Sequence, residues 1–295
     1  MSAAAYIADL FTSLNVLFLS ETWMCSAEET LPSGVLGSFG VGDVDIFQTF
    51  AMELPPGAGE GRRHGGTAMI CRRDSRFSFS RLQCENDRLL AVQLVCGGAP
   101  RLTIVGCYMP YFTGTPDQLE LYMDLCASLE ALIDTHRFSA PLMLVGDFNC
   151  PLPRLPPATR PRQWAKLRGF TPFSQAFQRL LDERSLTVAE FRFSQSVNFT
   201  YERGGHTSHI DHIIVPGKLA DEQLLSCSII PPSYDNLSPN LPITCTLLLR
   251  INGEERERPA PRDHSSSHST VLDWNNSDRN QRYCELLSTQ LETVV

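Results

Sequence analysis

Residues 144–149 carry the clearest chemical pattern in the chain, because an apolar strand leads through a glycine into Asp147, Phe148 and Asn149. Side chains two residues apart on an extended chain lie on one face, which places Asp147 beside Asn149. A carboxylate next to an amide suits a hard cation with a phosphate oxygen, or the positioning of an attacking water. The same residues are also ordinary turn formers after a strand, and the pattern alone leaves both interpretations open.

Four further segments place polar side chains at the ends of apolar strands. They are residues 17–23 with Glu21, residues 105–110 with Tyr108, residues 208–214 with Ser208 and Asp211, and residues 236–243. Taken singly, each has a plain structural explanation, since an acid such as Glu21 is common on a protein surface.

In chain order, the five segments resemble the boxes of the endonuclease/exonuclease/phosphatase superfamily. Those boxes are an ETW-like Glu, a YxP-like Tyr, a GDFN box, an SxID box and a final SDHxP box. The matching residues here are Ser20-Glu21-Thr22-Trp23, Tyr108-Met109-Pro110, Gly146-Asp147-Phe148-Asn149, Ser208-His209-Ile210-Asp211 and Ser238-Pro239-Asn240-Leu241-Pro242. The resemblance covers residues 3–252. Residues 64–68 and 199–212 are similar to the endonuclease domain of a non-LTR (LINE-like) retrotransposon polyprotein.

The resemblance implies hydrolysis of a phosphodiester by in-line attack of water, assisted by Mg²⁺ or alternatively Mn²⁺. DNA is the substrate class that it implies. The roles carried over are metal binding for Glu21, positioning of the nucleophile and the phosphate for Asp147 and Asn149, hydrogen bonding to the phosphate for Tyr108, orientation of a catalytic His for Asp211, and support of that site for Ser208.

The last box departs from the family pattern. The family has an Asp on the metal side and a His that acts as the general base, whereas the corresponding residues here are Pro239 and Asn240. Asn accepts no proton near neutral pH, so a general-base contribution of about 10²–10⁴ in rate would be lost. We therefore expect weakened or absent catalysis. The alternatives are a non-catalytic binder of nucleic acid or phosphate, and a phosphatase of the same fold acting on a small phosphorylated substrate.

The order of apolar segments predicts an α/β fold, and with the resemblance a four-layer α/β/β/α sandwich of two packed mixed β-sheets flanked by helices. The predicted strands are residues 16–19, 44–50, 66–72, 89–96, 101–108, 142–146, 209–215 and 242–251; the predicted helices are 3–14, 117–136 and 174–184, the last with Ser174 as its N-cap. The family's first strand has no counterpart, because residue 1 lies just before the first helix. This predicts that the first strand is missing.

The predicted domain organisation has three parts. Residues 1–252 form the domain that resembles the superfamily, residues 253–272 form a solvated Ser- and His-containing linker, and residues 273–295 form a C-terminal helix, interpreted as the remnant of a longer polyprotein.

The chain has a net charge of −8 over 295 residues. Eight acidic residues and no Lys or Arg lie within residues 1–61, so the rest of the chain carries 25 charges of each sign. The acidity therefore does not exclude a nucleic-acid partner. The acid-free segment 148–181 predicts contacts with the DNA backbone through Arg154, Arg160, Arg162, Lys166 and Arg168, with a solvated insertion as the alternative.

The ten cysteines form no CxxC pattern, which favours free thiols in a reducing compartment. With no signal-peptide pattern at the N-terminus, we expect an intracellular protein, nuclear or cytoplasmic, that is not secreted. The spacing of His206, His209 and His212 would suit zinc on a helix. The neighbouring Gly residues and apolar run favour instead a turn and a strand, with His209 and His212 on opposite sides.

Overall fold

The protein is described here by a computed structural model, which covers residues 3–24, 44–52, 64–154 and 171–249. All of these belong to one unit, Met1–Asn252. The predicted linker 253–272 and the predicted helix 273–295 lie outside the described residues.

Thirteen strands and four α-helices occur in the described residues. The strands are β1 (Val16–Ser20), β2 (Val44–Met52), β3 (His64–Arg72), β4 (Phe77–Leu82), β5 (Leu89–Cys96), β6 (Ala99–Tyr108), β7 (Leu142–Asp147), β8 (Leu186–Val188), β9 (Tyr201–Arg203), β10 (His206–Ser208), β11 (Asp211–Pro216), β12 (Leu224–Ile229) and β13 (Ile243–Leu247). The helices are α1 (Ala3–Phe11), α2 (Pro116–His136), α3 (Pro172–Glu183) and α4 (Gly217–Glu222).

Two main sheets pack face to face. The first is antiparallel, with the order β1-β3-β2, and the second has six strands in the order β4-β5-β6-β7-β11-β8. The pair β6 and β7 is parallel and the other neighbours in the second sheet are antiparallel. Two antiparallel ribbons, β9 with β10 and β12 with β13, complete the strand pairing.

The six-stranded sheet is buried on both faces, as the apolar sequence of β5 shows. Leu89 and Ala91 join the core beneath α2 and α3, whereas Leu90 and Val92 join the core between the sheets. This alternation has the period of two that a strand requires. On the outer side of the three-stranded sheet, Phe11 of α1 packs with Ile70. The predicted mixed α/β architecture of two packed sheets flanked by helices is therefore confirmed.

The start of α3 differs from the prediction. Thr171 is the N-cap and Ser174 is the third helical residue, and the two form a capping box in which the Thr171 hydroxyl accepts from the Ser174 N–H at 3.3 Å. The expectation that Ser174 is the cap was wrong because Pro172 at the first helical position sets the start of the helix earlier.

The strands β4, β8, β9, β10 and β12 were not predicted. They are short or carry alternating polar residues, as in the sequence of Phe77–Leu82, and long-range pairing rather than local pattern defines them. The eight described cysteines are free thiols. No helix among the described residues is long and apolar enough to cross a membrane.

Candidate active site

The floor of the candidate site lies where three neighbouring strands of the six-stranded sheet meet. Asp147 is the last residue of β7 and lies opposite Asp211, the first residue of β11. Tyr108, the last residue of β6, is in parallel register with Asp147. The sheet therefore brings together three residues that are up to 103 positions apart in the sequence.

Glu21 reaches this floor from the opposite sheet through a close contact at β1. A Cβ at Gly106 would lie 2.1 Å from the ring of Phe18, and one at Gly146 would lie 2.8 Å from the same ring. Only glycine at both positions lets β1 approach this closely. The Tyr108 hydroxyl donates to Glu21 Oε1 at 2.6 Å, and Glu21 has a left-handed backbone with φ of 55°.

Asn149 is held by a turn rather than by strand alternation. It lies beyond β7 with φ of 49°, its N–H donates to Asp147 Oδ1 at 2.8 Å, and its Nδ2 donates to the Met109 carbonyl at 2.9 Å. The two side chains are neighbours, as we expected, but the expected cause was wrong: Asn149 does not continue the extended strand. The backbone turn places the amide beside the carboxylate, as Asn readily allows.

Asn240 lies against Asp211. Its Nδ2 is 3.0 Å from both carboxylate oxygens of Asp211, so the amide donates to the carboxylate. The loop that carries it is fixed through main-chain hydrogen bonds, from Leu241 N–H to the Thr200 carbonyl at 2.6 Å and from Glu202 N–H to the Pro239 carbonyl at 2.9 Å.

Thr200 was missed by the sequence analysis. Its side chain is fully buried, and its Oγ1 accepts from the N–H groups of Ile210 and Asp211, each at 3.1 Å. It thereby fixes the entry into β11 and so the position of Asp211. The only sequence signal was a Thr within 199–201, a segment singled out for another reason.

Ser208, in contrast, takes part through its main chain. It pairs with Tyr201 in the β9/β10 ribbon, and its carbonyl accepts from the Thr200 N–H at 2.9 Å. Among the residues that the structure describes, its hydroxyl has no hydrogen bond. A supporting role for Ser208 remains a prediction.

Burial and the closeness of the carboxylates raise the pKa values of the titratable groups on the floor of the site. Burial raises the pKa of Asp147 well above its usual range, and the neighbouring Asp211 raises it further. Burial also raises the pKa of Asp211, to about 6, although hydrogen bonds from Thr200 and Asn240 oppose the shift. Burial and the hydrogen bond to Glu21 raise the pKa of Tyr108, so its phenol stays a neutral donor.

Two buried carboxylates side by side favour a bound cation, since a positive charge between them removes their mutual repulsion. The carboxylates of Glu21 and Asp147 and the amide oxygen of Asn149 are ligands of the kind that Mg²⁺ and Mn²⁺ prefer, whereas both oxygens of Asp211 accept from Asn240. The residues present therefore fit a hard divalent cation.

A second polar cluster joins His212 of β11 to Glu190 and to His209, which precedes the strand, and it was also missed as a unit. Glu190 and His212 are fully buried; Glu190 Oε1 is 2.7 Å from His212 Nδ1 and 3.2 Å from His209 Nε2. Burial opposes the charge of Glu190, but the two imidazoles hold its pKa at about 2. These residues are a possible metal-ligand group. The sequence signal was an acid inside the apolar run 188–191.

The prediction that His209 and His212 face opposite sides was wrong. Their rings stack with centroids 4.9 Å apart, because His209 precedes β11 and does not follow the alternation of the strand. His206 lies on β10 and is not part of the cluster.

Of the basic residues predicted to contact DNA, the structure describes Arg154. Its guanidinium lies 5.0 Å from the centre of the Phe191 ring. Arg160, Arg162, Lys166 and Arg168 lie outside the described residues.

The comparisons with solved structures agree with this architecture. An AP endonuclease from Archaeoglobus fulgidus has a TM-score of 0.59 at 14% identity, covering 83% of this chain and 93% of its own. The 3′ phosphatase NExo from Neisseria bound to product DNA hairpin has 0.57 at 18%, covering 82% and 93%. The 3′-5′ exonuclease NExo from Neisseria meningitidis has 0.56 at 20%, with the same coverage.

At these identities the similarity concerns the fold alone. No curated protein sequence matches the chain. The sequence model of the endonuclease/exonuclease/phosphatase family matches residues 2–233, which is more than half of the chain. Members of this family typically depend on a divalent metal, in keeping with the oxygen donors at the strand ends. With the two packed sheets and the polar residues where β6, β7 and β11 meet, the match shows that this chain belongs to the endonuclease/exonuclease/phosphatase family.

Proposed function

We propose that the chain is a Mg²⁺-dependent phosphodiesterase that acts on DNA as an endonuclease, with hydrolysis weakened by the residue at position 240. The observation that carries the proposal is the contact of Asn240 Nδ2 with both oxygens of Asp211 at 3.0 Å. An amide occupies the place from which a base held by Asp211 would act.

The other residues retain the means to bind and orient a phosphodiester. The neutral Tyr108 hydroxyl donates to Glu21 and would donate to a phosphate oxygen instead when substrate binds, and Asp147 and Asn149 would orient an attacking water. Glu21, with the carboxylate of Asp147 nearby, would hold the metal ion, which would stabilise negative charge on the phosphate.

Asn240 affects one step in particular. A water that attacks phosphorus must lose a proton, and the side chain of Asn cannot take it near neutral pH. In its present contact the Asn240 amide is a donor to Asp211, so both partners of the pair are used to hold the loop rather than to move a proton. We infer a rate lower by about 10²–10⁴ than with a competent base.

DNA as the substrate and a retrotransposon origin are parts of the same proposal. The proposal for DNA is supported by the structural neighbour crystallised with a DNA hairpin and by the arginine-containing segment after β7. Retroelement origin is supported by residues 64–68 and 199–212, which are similar to LINE-like endonucleases. We expect a reverse-transcriptase reading frame beside the coding sequence, and unrelated genes in that place would contradict a retroelement origin.

We also propose an intracellular, nuclear or cytoplasmic, site of action, in keeping with eight free thiols.

A plasmid-nicking assay in Mg²⁺ with the full chain tests the proposal. We expect slow nicking that increases at least about tenfold in Asn240→His, because His restores a base beside Asp211. The matched control is Leu237→His, which places the same side chain at an exposed position of the same loop, away from Asp211, and should leave the rate unchanged. Glu21→Gln should abolish the nicking. Rapid nicking by the unchanged chain would contradict the weakened catalysis.

The contact of Asn240 also favours a second candidate, a protein that binds DNA or phosphate without turnover. DNA affinity measured with Mg²⁺ separates the two. Salt-dependent binding without nicking, even in Asn240→His, would support the binder. Hydrolysis of a small phosphate ester without DNA binding would support a phosphatase instead.

A further inference from the structure

Glu190, His209 and His212 bring three potential metal ligands together inside the protein. One ligand atom of each residue lies within 4.8 Å of those of the other two. The side chains of Glu190 and His212 are fully buried, and that of His209 is 13% exposed. Around a tetrahedral Zn²⁺ ion with ligands at about 2.1 Å, neighbouring ligand atoms are about 3.4 Å apart. The three side chains therefore already have nearly the spacing that a metal site requires.

This cluster lies on the opposite face of the six-stranded sheet from the candidate active site. Successive side chains of a strand point to opposite faces. On β11, Ile213 joins the core between the two sheets, whereas Ile214 joins the core beneath α2 and α3. His212 therefore shares the face of Ile214, and Asp211 shares the face of Ile213. In keeping with this, the His212 ring lies 6.0 Å from the ring of Phe148, which belongs to the core beneath the helices.

Both ring nitrogens of His212 face hydrogen-bond acceptors. Nε2 lies 3.4 Å from the Cys150 carbonyl oxygen, and Nδ1 lies 2.7 Å from Glu190 Oε1. Neither a carbonyl nor an ionised carboxylate can donate, and a neutral imidazole carries only one N–H. The ring therefore requires either a second proton or a metal ion. A metal-binding histidine usually donates its other N–H to a carboxylate or a main-chain carbonyl, as His212 can do to Cys150.

His209 distinguishes between a proton and a metal ion. Its Nε2 is buried and makes no hydrogen bond among the described residues, although Glu190 Oε1 lies 3.2 Å from it. A second proton on His212 would complete the bond between His212 and Glu190 but would leave this buried nitrogen without a partner. A metal ion would be a partner for both imidazoles and for the carboxylate. The other carboxylate oxygen of Glu190 is already used, since Oε2 accepts from the Ile213 N–H at 3.2 Å.

The donor atoms determine the class of metal. Two imidazoles and one carboxylate are the protein ligands of known zinc sites, in which water takes the fourth position. Imidazole also suits other transition metals, such as Co²⁺, whereas Mg²⁺ prefers oxygen ligands. The positive charge of Arg154, 5.0 Å from the Phe191 ring that contacts His209, opposes a cation here, and the negative charge of Glu190 offsets it. The exposed part of His209 gives the fourth position access to solvent.

We propose that Glu190, His209 and His212 bind one Zn²⁺ ion, with water as the fourth ligand, on the face of the six-stranded sheet that α2 and α3 cover. The ion connects the turn Glu190–Arg192 to the start of β11 and stabilises both. It differs from the cation proposed for phosphodiester hydrolysis in its ligands and in its face of the sheet, and the proposal does not depend on that activity.

Absorption spectroscopy of the reduced full chain with Co²⁺ tests the proposal, because Co²⁺ replaces Zn²⁺ and its spectrum reports geometry and ligands. With Mg²⁺ present, we expect the intense visible bands of tetrahedral Co²⁺, saturating at one ion per chain and lost when Zn²⁺ is added. We expect no near-ultraviolet band of a thiolate ligand, because no cysteine is among the proposed ligands. The absence of visible bands, the weak bands of six-coordinate Co²⁺, a thiolate band or displacement by Mg²⁺ would each overturn the proposal. This spectrum uses the unchanged chain, so the test stands even if a variant fails to fold.

Variants locate the ion within the chain. His209→Gln changes the partly exposed ligand and should weaken the binding of Co²⁺ and Zn²⁺ at least about tenfold, since one of three protein ligands is lost. The matched control His206→Gln changes an exposed histidine of β10 outside the cluster and should leave the affinity unchanged. An unchanged affinity in His209→Gln, or an equal loss in both variants, contradicts the assignment.

Thermal unfolding gives a second measurement that does not use the spectrum. An ion that binds the folded chain raises the unfolding midpoint as its concentration rises. Zn²⁺ should therefore raise the midpoint of the unchanged chain and of His206→Gln, and raise that of His209→Gln much less. A rise of the same size in all three proteins would place the ion at other residues and overturn the proposal.

Discussion

The two polar boxes at residues 146–149 and 238–242 contribute to one site but are held in different ways. The first is part of the central sheet: Asp147 ends β7, Gly146 has φ of 138°, and a Cβ at Gly146 would lie 2.1 Å from the Cys107 carbonyl oxygen. The main chain that positions Asp147 is therefore also tightly packed against β6 and against Phe18 of β1.

The second box lies in a loop that is bridged to the β9/β10 ribbon between Tyr201 and Asn240 and that meets the six-stranded sheet through the contact of Asn240 with Asp211. Hydrogen bonds of the main chain and of the Asn236, Ser238 and Asn240 side chains hold it, and the side chains of Ser238 and Pro239 are exposed. Its residues can therefore change without a change of fold. The sequence analysis predicts a departure from the family pattern in the second box and none at Asp147 and Asn149, and this difference in attachment would explain it.

The largest effect is expected for Gly146→Ala. The new Cβ meets backbone, and the residue keeps a φ that an L side chain rarely adopts, so we expect a loss of about 3 kcal/mol or more in the free energy of unfolding. Urea unfolding measures it. The control Gly204→Ala has φ of 58° and no atom within 4 Å, and should lose about 1 kcal/mol. Equal losses would show that the close approach is unimportant.

Thr200→Val should come next, because Thr200 connects the second box to the start of β11. The change keeps the shape but leaves the buried N–H groups of Ile210 and Asp211 without their acceptor. We expect a loss of about 2–3 kcal/mol in urea unfolding. Thr200→Ser retains the hydroxyl and should lose less than half as much; if the two variants are equally unstable, methyl packing rather than hydrogen bonding is the cause.

The pH dependence of stability tests the two paired acids, Asp147 of the first box and Asp211 opposite it on β11. The pKa of Asp211 is about 6 in the folded chain against an ordinary 3.8, so the folded state binds more protons between these values. Stability should therefore be greatest below about pH 4 for this group and fall as pH rises to about 6, by on the order of 3 kcal/mol.

The raised pKa of Asp147 acts in the same direction. Asp211→Asn should show a markedly smaller decline over this range in thermal unfolding. Millimolar Mg²⁺ should restore stability above pH 6 in the unchanged chain more than in the variant. A decline of the same size in Asp211→Asn, with or without Mg²⁺, would mean that other groups cause it.

The smallest effect is expected for Ser238→Ala. The hydroxyl accepts from the Asn240 N–H at 3.1 Å but is exposed, so its loss should cost no more than about 1 kcal/mol in urea unfolding. Ser128→Ala, which removes an exposed hydroxyl from α2, serves as the control. A loss above that of Thr200→Val would reverse the comparison between the two boxes.

Most strands of the two sheets could be predicted because their apolar runs are long and end at Gly, Pro or polar residues, as in 89–96 and 142–146. The strands that escaped prediction, such as Tyr201–Arg203 and His206–Ser208, are three residues long and mostly polar. Pairing with another segment defines them, and no local pattern records it.

The sequence by itself determined which residue types stand at the ends of the apolar strands, and it predicted that Asn240 replaces the family's base. That followed from order and spacing along the chain. Only the tertiary structure decided that Asn240 donates to Asp211, that Thr200 fixes β11, and that Glu190 joins His209 and His212. These contacts join residues that are distant in sequence, and such hydrogen-bond partners are set only when the strands pair and the loops pack against them.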